Sequence, residues 1–270
     1  MLSVCATPIG NLDDVTLRVL AELRRADVVL AEDTRRTRRL LERHGIEARL
    51  LAYHEHNEAA RVRELLPRLR AGERVALVAD AGLPCVSDPG ARLVRAALEA
   101  GVATTVLPGP SAVETALVAS GLVADRYAFV GFLPRREAEL RALWDELASW
   151  AWPVVAFESA RRLPAALRSL AEAAPSREVA VCRELTKRFE QVVRGSAAEL
   201  AARFAEAPKG EITLVLGAAP AAPAAAGAAG GEARAAVEEL VAAGTPRRVA
   251  AAVVSRLTGA ARNDLYRGSL

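Results

Sequence analysis

Cysteine is scarce in this sequence: Cys5, Cys85 and Cys182 are the only three in 270 residues. An odd, widely spaced set builds neither a disulfide framework nor a cysteine metal site, and it fits a reducing cytoplasm. Lysine is scarcer still, with only Lys187 and Lys209, so 34 of the 36 Lys+Arg residues are arginine. Abundant Ala and Arg are also what a biased genome produces, and a net charge of +3 is too small to identify a polyanionic partner. Any nucleic-acid argument therefore has to rest on clustering of the arginines. No uninterrupted apolar run reaches the roughly 18 residues of a membrane-spanning helix. Met1–Cys5 lacks the basic stretch and apolar core of a signal peptide and reads as a first strand. No GxxxxGK[ST] occurs, which disfavours P-loop chemistry, and no GxGxxG follows the first strand, which leaves a dinucleotide fold or the common Rossmann methyltransferase unsupported. What remains is a chain with 52% hydrophobic and 26% charged residues, which excludes wholesale disorder. Its length suits two modest α/β domains or one large one.

Along the first 121 residues short apolar runs alternate with amphipathic stretches. Strands are expected at Leu2–Thr7, Val28–Ala31, Leu50–Tyr53, Val75–Ala79 and Ala103–Leu107, with helices at Val15–Arg25, Thr34–His44, Glu58–Ala71, Arg92–Ala100 and Ala112–Ser120. Such alternation implies crossovers and a mainly parallel sheet covered on both faces. A second α/β unit is expected over 122–217, with strands at Tyr127–Phe132, Val154–Phe157, Val179–Arg183, Gln191–Arg194 and Ile212–Leu216. Residues 218–231, AAPAAPAAAGAAGG, read as a flexible linker. Residues 232–270 look helical again, with short apolar faces punctuated by Gly244-Thr245-Pro246 and Thr258-Gly259, in the manner of a helix-turn-helix element. This tail carries a net charge of +2, from six arginines against four acidic residues, which suits contact with nucleic acid or a packing appendage equally.

Three turn-rich segments follow expected strands of the first unit: Thr7–Asn11, Asp80–Gly90 and Pro108–Ala112. In an open parallel sheet the carboxyl ends of the strands share one edge, where loops line the ligand crevice. Gly and Pro let backbone approach a ligand and stiffen the turn. The Asp80–Gly90 loop offers few side chains, so its own N–H and C=O groups suit an amphiphilic small molecule better than bare phosphate.

The ordered set TPIGN, AEDTRRTRRLLERHG, YHEHNE, DAGLPCVSDPG, LPGPSA, GFLPR, FES, RELTK, VVRG and KGEITLV resembles the ribosomal RNA small subunit methyltransferase I family, within the tetrapyrrole (corrin/porphyrin) methylase superfamily. The resemblance runs over about residues 2–217 and more loosely through the terminal helices. Leu83 stands where the family usually has Thr, and Cys85 occupies a usually aliphatic or Gly position. The resemblance implies two α/β domains with S-adenosylmethionine in the cleft between them, a helical extension and a homodimer. It also implies methyl transfer to the ribose 2′-hydroxyl of a cytidine in the decoding centre of 16S rRNA, cytidine 1402. By position it assigns the cofactor to Pro8, to Asp80, Ala81, Gly82, Leu83 and Val86, to Ser111 and Ala112, and from the second domain to Phe157, Glu158 and Leu185. Little acid–base machinery is needed for an activated sulfonium, because in-line positioning of the acceptor supplies much of the rate.

Charged segments at the strand ends supply the rest. Arg35, Arg36, Arg38, Arg39 and Arg43 share one expected helix; arginines suit phosphate, and Arg35, Arg38 and Arg39 are the candidate RNA contacts, against a solvated ion-paired face. His54 and His56 lie in a strand-end loop that suits stacking on bases, against an N-cap at Asn57 with surface histidines; a third metal ligand is lacking, so no metal is expected. Lys187 follows a second-domain strand and could face RNA or sit in an ordinary turn. Asp33 is the first candidate to accept the hydroxyl proton, yet its arginine neighbours would keep it a poor base and favour an orienting role. Two rivals stand beside the RNA methyltransferase. A tetrapyrrole-precursor methylase would need a GxGPGD-type opening, which Thr7–Asn11 lacks. A non-catalytic RNA-binding ribosome-assembly protein would bind no cofactor.

Overall fold

The computed structural model describes residues 1–219, 228–258 and 260–267. Ten strands and eleven helices are present among them. The first half runs β1 (Leu2–Cys5), α1 (Leu17–Arg25), β2 (Val28–Ala31), α2 (Thr34–Arg43), β3 (Leu50–Ala52), α3 (Glu58–Arg70), β4 (Val75–Val78), α4 (Ala91–Glu99), β5 (Thr104–Leu107) and α5 (Ala112–Ser120). Its strands form one sheet in the order β3-β2-β4-β1-β5, and every pair is parallel. Period-two side-chain alternation divides the core into two layers. Val28 and Leu30 pack with Leu65, Leu69 and Leu93 of α3 and α4, while Val29 and Ala31 pack with Val19, Leu23 and Leu41 of α1 and α2. The central strands β1, β2 and β4 are buried on both faces, as crossover helices require, while the edge strands β3 and β5 are partly exposed.

The second half runs β6 (Ala128–Phe132), α6 (Glu137–Leu147), β7 (Val154–Ser159), α7 (Leu163–Ala173), β8 (Glu178–Arg183), β9 (Gln191–Ser196), α8 (Ala197–Arg203) and β10 (Glu211–Leu216). Its sheet has the order β6-β7-β10-β8-β9. Only β6 and β7 pair in parallel; the β7/β10, β10/β8 and β8/β9 pairs are antiparallel. Helix α5 ends at residue 120, beside the expected boundary, yet it does not pack as a first-half element. Val113, Ala116 and Leu117 bury themselves against Val155, Ala180, Cys182 and Val215 of the second sheet, together with Ile9 from the loop after β1. Both sheets accordingly belong to one compact unit, Met1–Ala148 with Trp152–Ala218.

A second unit gathers Ser149–Ala151 and Ala219–Leu270. In it α9 (Ala228–Ala242), α10 (Arg247–Thr258) and α11 (Arg262–Arg267) enclose a small core of Ala233, Val237, Ala250, Ala251, Val254 and Leu265. Residues 228–231, expected in the linker, are helical here, because alanines at 228 and 229 extend the helix despite the glycines behind them; 220–227 lie outside the described residues. All three cysteines are free, and burial raises the thiols of Cys5, to about 12, and Cys182, to about 11, so both behave as small core hydrophobes. Among the described residues no helix is long and apolar enough to cross a membrane.

Candidate functional site

The loops after β1, β2, β4 and β5 meet at the carboxyl edge of the first sheet, where the adjacent parallel strands β1 and β4 send their crossovers to opposite sides. Thr7 and Gly82 form an isolated antiparallel bridge across that point. The Thr7 hydroxyl donates to the Ala79 carbonyl at 3.0 Å and locks the start of the turn. Gly82 has φ +74°, a conformation that glycine adopts without strain. Its N–H and C=O are both held by Thr7, so what Gly82 contributes is the left-handed turn; it has no free polar group to offer a ligand. A Cβ there would make ordinary van der Waals contact with the Pro110 carbonyl at 3.8 Å and Ile9 Cγ2 at 3.9 Å, so the backbone conformation and not a clash is what favours glycine.

Gly82 borders a cavity of about 450 Å³, within the usual size of small-molecule sites. Leu83, Val86, Pro110, Ala112, Phe129 and Phe157 form apolar walls, and Asp88, Ser111, Glu114 and Tyr127 supply polar groups. Phe157 and Phe129 stack edge to face at 4.9 Å, so an aromatic wall comes from the second half. Glu114 accepts from the Tyr127 hydroxyl at 2.7 Å and from Ser111. Of the residues assigned to the cofactor, Ala81, Gly82, Leu83, Val86, Ser111, Ala112 and Phe157 come together here.

The others lie elsewhere. Pro8 and Asp80 line an adjoining cavity of about 380 Å³. Leu185 is 6% exposed and belongs to the core between the halves. Glu158 requires a correction: it follows Phe157 on β7, so alternation turns its side chain to the opposite face of the sheet. There its carboxylate is buried, accepts from the Ser159 N–H at 2.6 Å and pairs with Arg162 at 3.1 Å.

The adjoining cavity is bordered by charge of both signs. Arg36 lies 3.7 Å from Asp80 and 3.9 Å from Glu211. Lys187 donates to Glu184 at 2.9 Å and Glu211 at 2.7 Å. The Asn11 N–H donates to the Thr186 hydroxyl at 2.9 Å, which completes a clasp between the loop after β1 and the β8–β9 turn. Gly10 makes the approach possible, since a Cβ there would lie 2.5 Å from Lys187 Cγ and 2.7 Å from the Leu185 carbonyl. Lys187, expected to face RNA, is instead neutralised by two carboxylates and serves this clasp.

Asp33 caps α2. Its Oδ1 accepts from the Arg35 N–H at 2.9 Å and from Arg35 Nε at 3.0 Å, and its Oδ2 accepts from Arg35 Nη2 at 2.8 Å. These bonds hold its pKa far below the usual carboxylate range and leave it unsuited to take a proton. Thr37, Leu40 and Leu41 are the buried face of α2, so Arg36 and Arg39 border the cavity; Arg35 and Arg38 point outward. Arg36 is not among the RNA candidates that the sequence suggests; the helical phase that Asp33 sets as N-cap is the local signal that turns it toward the cavity. Tyr53 is fully buried and donates to Glu58 at 3.0 Å, which removes it from any base-stacking role. His54 is half-buried with Nε2 3.1 Å from Asn57 Nδ2, whereas His56 is exposed. Asn57 does not cap α3; its side chain accepts from the His54 N–H at 2.9 Å and donates to the Ala52 carbonyl at 3.1 Å. Among the described residues no group of three or more His, Cys, Asp or Glu side chains is placed to hold a metal ion.

One further residue stands out. Asp88 lines the larger cavity, and burial, then the charges of Glu32 and Asp80, push its pKa up to about 7. The sequence reading passed it over inside the SDPG run, where nothing local separates it from an ordinary turn aspartate.

The two α/β halves are shared with known proteins. The family model of Tetrapyrrole (Corrin/Porphyrin) Methylases matches residues 1–201, and the chain belongs to that class. Within it, the chain is a member of the Ribosomal RNA small subunit methyltransferase I family. It is 45% identical to the protein of that name from Micromonospora olivasterospora, over 98% of this chain and 85% of the relative. It is 43% identical to the one from Thermotoga maritima, over 80% of this chain and 97% of that relative. Among solved structures, the methyltransferase CobJ shares the fold with TM-score 0.61 at 20% identity, covering 81% of this chain and 94% of that one. Uroporphyrin-III C-methyltransferase from Thermus thermophilus complexed with S-adenyl homocysteine matches with TM-score 0.57 at 20% identity, covering 80% of this chain and 96% of that one.

Proposed function

We propose that the chain is an S-adenosylmethionine-dependent methyltransferase acting on 16S rRNA in the small ribosomal subunit, and that the acceptor is the ribose 2′-hydroxyl of cytidine 1402. The observation that carries this reading is the convergence of the Asp80–Gly90 and Pro108–Ala112 loops on one cavity, with the loop after β1 clipped to the first of them through Thr7 and Gly82, in a chain 45% identical to a Ribosomal RNA small subunit methyltransferase I. The cavity suits the cofactor chemically. Leu83, Val86 and Phe157 offer apolar surface to an adenine, while Glu114 adds a carboxylate to the wall that a cationic donor would face. The bound cofactor would supply an activated methyl group; the residues around the cavity orient it and exclude water. The exposed arginines of α2, Arg38 and Arg39, suit RNA phosphates near the same edge. His54 and His56 belong to the same proposed surface. A cytoplasmic homodimer completes the reading; sedimentation of the purified chain tests its stoichiometry.

The experiment is methylation of small subunits from a strain lacking the modification, using isotopically labelled S-adenosylmethionine. Mass mapping should find one labelled 2′-O-methylcytidine at the proposed position. Label on a base, at another nucleotide or on a tetrapyrrole precursor would replace this reading. Absence of S-adenosylhomocysteine binding in calorimetry would favour the non-catalytic assembly protein.

A further inference from the structure

The established family leaves open which group takes the proton from the acceptor. We propose that Asp88 is the general base, an inference that rests on the cofactor cavity and ribose acceptor proposed above. The 2′-oxygen attacks the donor's methyl carbon; an O–C bond forms as the C–S bond breaks, leaving a neutral thioether. The hydroxyl proton passes to the Asp88 carboxylate and from there to water.

Placement is the first argument. Asp88 is the one aspartate on the wall of the cavity, beside Val86 and opposite Ser111, Tyr127 and Phe157. Availability is the second. The other carboxylates around it are committed: Asp33 to Arg35, Asp80 to the Asp33 N–H and Arg36, and Glu114 to Ser111 and Tyr127. Glu58 is committed to Tyr53, the Gly90 N–H and Arg92. Glu32 is exposed and lines neither cavity. Asp88 has no hydrogen bond or ion pair among the described residues, so its lone pairs are free for a substrate hydroxyl. Rigidity is the third. Two residues on, the Gly90 N–H donates to buried Glu58 at 3.0 Å, and Cys85 and Ser87 are held at φ +73° and +64°. The loop is therefore fixed on both sides of the carboxylate.

The electrostatics agree. The charged and titratable groups around Asp88 are Glu32 after β2, with His54 beside it, Asp80 after β4, with Arg36 beside it, Cys85 on its own loop, with Glu58 of α3 beside it, and Glu114 and Tyr127 on the cavity wall. Burial acts first and the Glu32 and Asp80 charges add to it, so the carboxylate titrates near neutrality, where a general base is most effective.

The test compares wild type with Asp88→Asn, which preserves shape, and Asp88→Glu, which restores a carboxylate. Single-turnover methylation of small subunits is followed from about pH 6 to 9, with S-adenosylhomocysteine affinity and thermal unfolding measured alongside. The wild-type rate should rise with pH to a plateau with a midpoint near 7. Asp88→Asn should be slower by about a hundredfold or more, with the pH dependence gone and cofactor affinity within about threefold, and Asp88→Glu should recover part of both rate and profile. Carbon-13 carboxyl spectra provide a readout independent of turnover: one aspartate signal should titrate near pH 7 and vanish in Asp88→Asn. A variant rate within about threefold of an active wild type removes the base role alone. A tenfold or greater loss of cofactor affinity makes Asp88 a cofactor ligand and overturns it, on the scale of about 1.4 kcal/mol. Absence of the titrating signal also overturns it. A wild type that leaves ribose unmethylated overturns the substrate reading and the base role together.

Discussion

Thr7 and Gly82 hold each other through both backbone groups: the Thr7 N–H donates to the Gly82 carbonyl at 2.9 Å, and the Gly82 N–H donates to the Thr7 carbonyl at 3.0 Å. This clip joins the loops after β1 and β4 beneath the cavity. It needs a left-handed residue at position 82. Gly82→Ala should therefore cost about 1–2 kcal/mol in urea unfolding and weaken S-adenosylhomocysteine binding, with the fold retained. Unchanged affinity in the destabilised variant would show that the clip shapes the fold but not the cavity.

Helix α2 separates its arginines by function. Arg35 is held by Asp33, whereas Arg38 and Arg39 have no ion pair among the described residues. Alanine at each of Arg38 and Arg39 should lower the log–log salt slope of RNA binding by roughly 0.7–0.9 per lost phosphate contact, and alanine at Arg35 should change it far less. Asp33→Asn keeps an N-cap residue and should methylate within about threefold of wild type. The stability that Asp33 gains from Arg35 is present above its unfolded pKa and fades as pH falls below the usual carboxylate range, so the variant and wild type should converge in acid.

Asp88 has the opposite linkage. Its folded pKa of about 7 lies above the ordinary 3.8, so the folded chain holds a proton that the unfolded chain has released. The Asp88 contribution to stability should be most favourable below about pH 4, fall as pH rises toward 7 and level off beyond it. Asp88→Asn removes this penalty. Its melting temperature should match wild type near pH 4 and exceed it by a few degrees at pH 8, as scanning calorimetry would detect.

The terminal helices form their own compact unit, and the Thermotoga relative matches only 80% of this chain while 97% of that relative is covered. A chain ending after Ala218 should fold cooperatively and bind S-adenosylhomocysteine within about threefold of the full chain. It should bind small subunits more weakly. Insoluble product on truncation would place the helices within the main fold.

Much of this architecture was legible because its signals are local. Val28–Ala31 and Ala112–Ser120 have the bounds that periodicity and flanking Gly, Ser and Asp residues suggest. What escaped was set by partners distant in sequence. Helix α5 reads as the end of the first half, but its apolar face meets strands 35 to 100 residues on, such as Val155 and Val215. Glu158 shares a motif with Phe157, yet strand alternation sends the two side chains to opposite faces of the sheet. For Lys187 the sequence leaves RNA contact and an ordinary turn open, because its partners Glu184 and Glu211 come together only in the fold. Asp88 drew no attention because its chemistry comes from burial and from Glu32 and Asp80, on two other loops.

The rarity of lysine gives the clasp a spectroscopic handle. Only Lys187 and Lys209 carry ε-amines, and Lys187 bridges Glu184 and Glu211 within the second half, its side chain packed against Gly10 of the loop after β1. Reductive methylation with carbon-13 formaldehyde preserves the charge and places just two lysine probes on the chain. One reports on Lys209 in its turn, and the other sits beside the contact that joins the loop after β1 to the second sheet. Opening of that contact during cofactor or ribosome binding would thus be visible as the movement of a single resonance, with no engineered label.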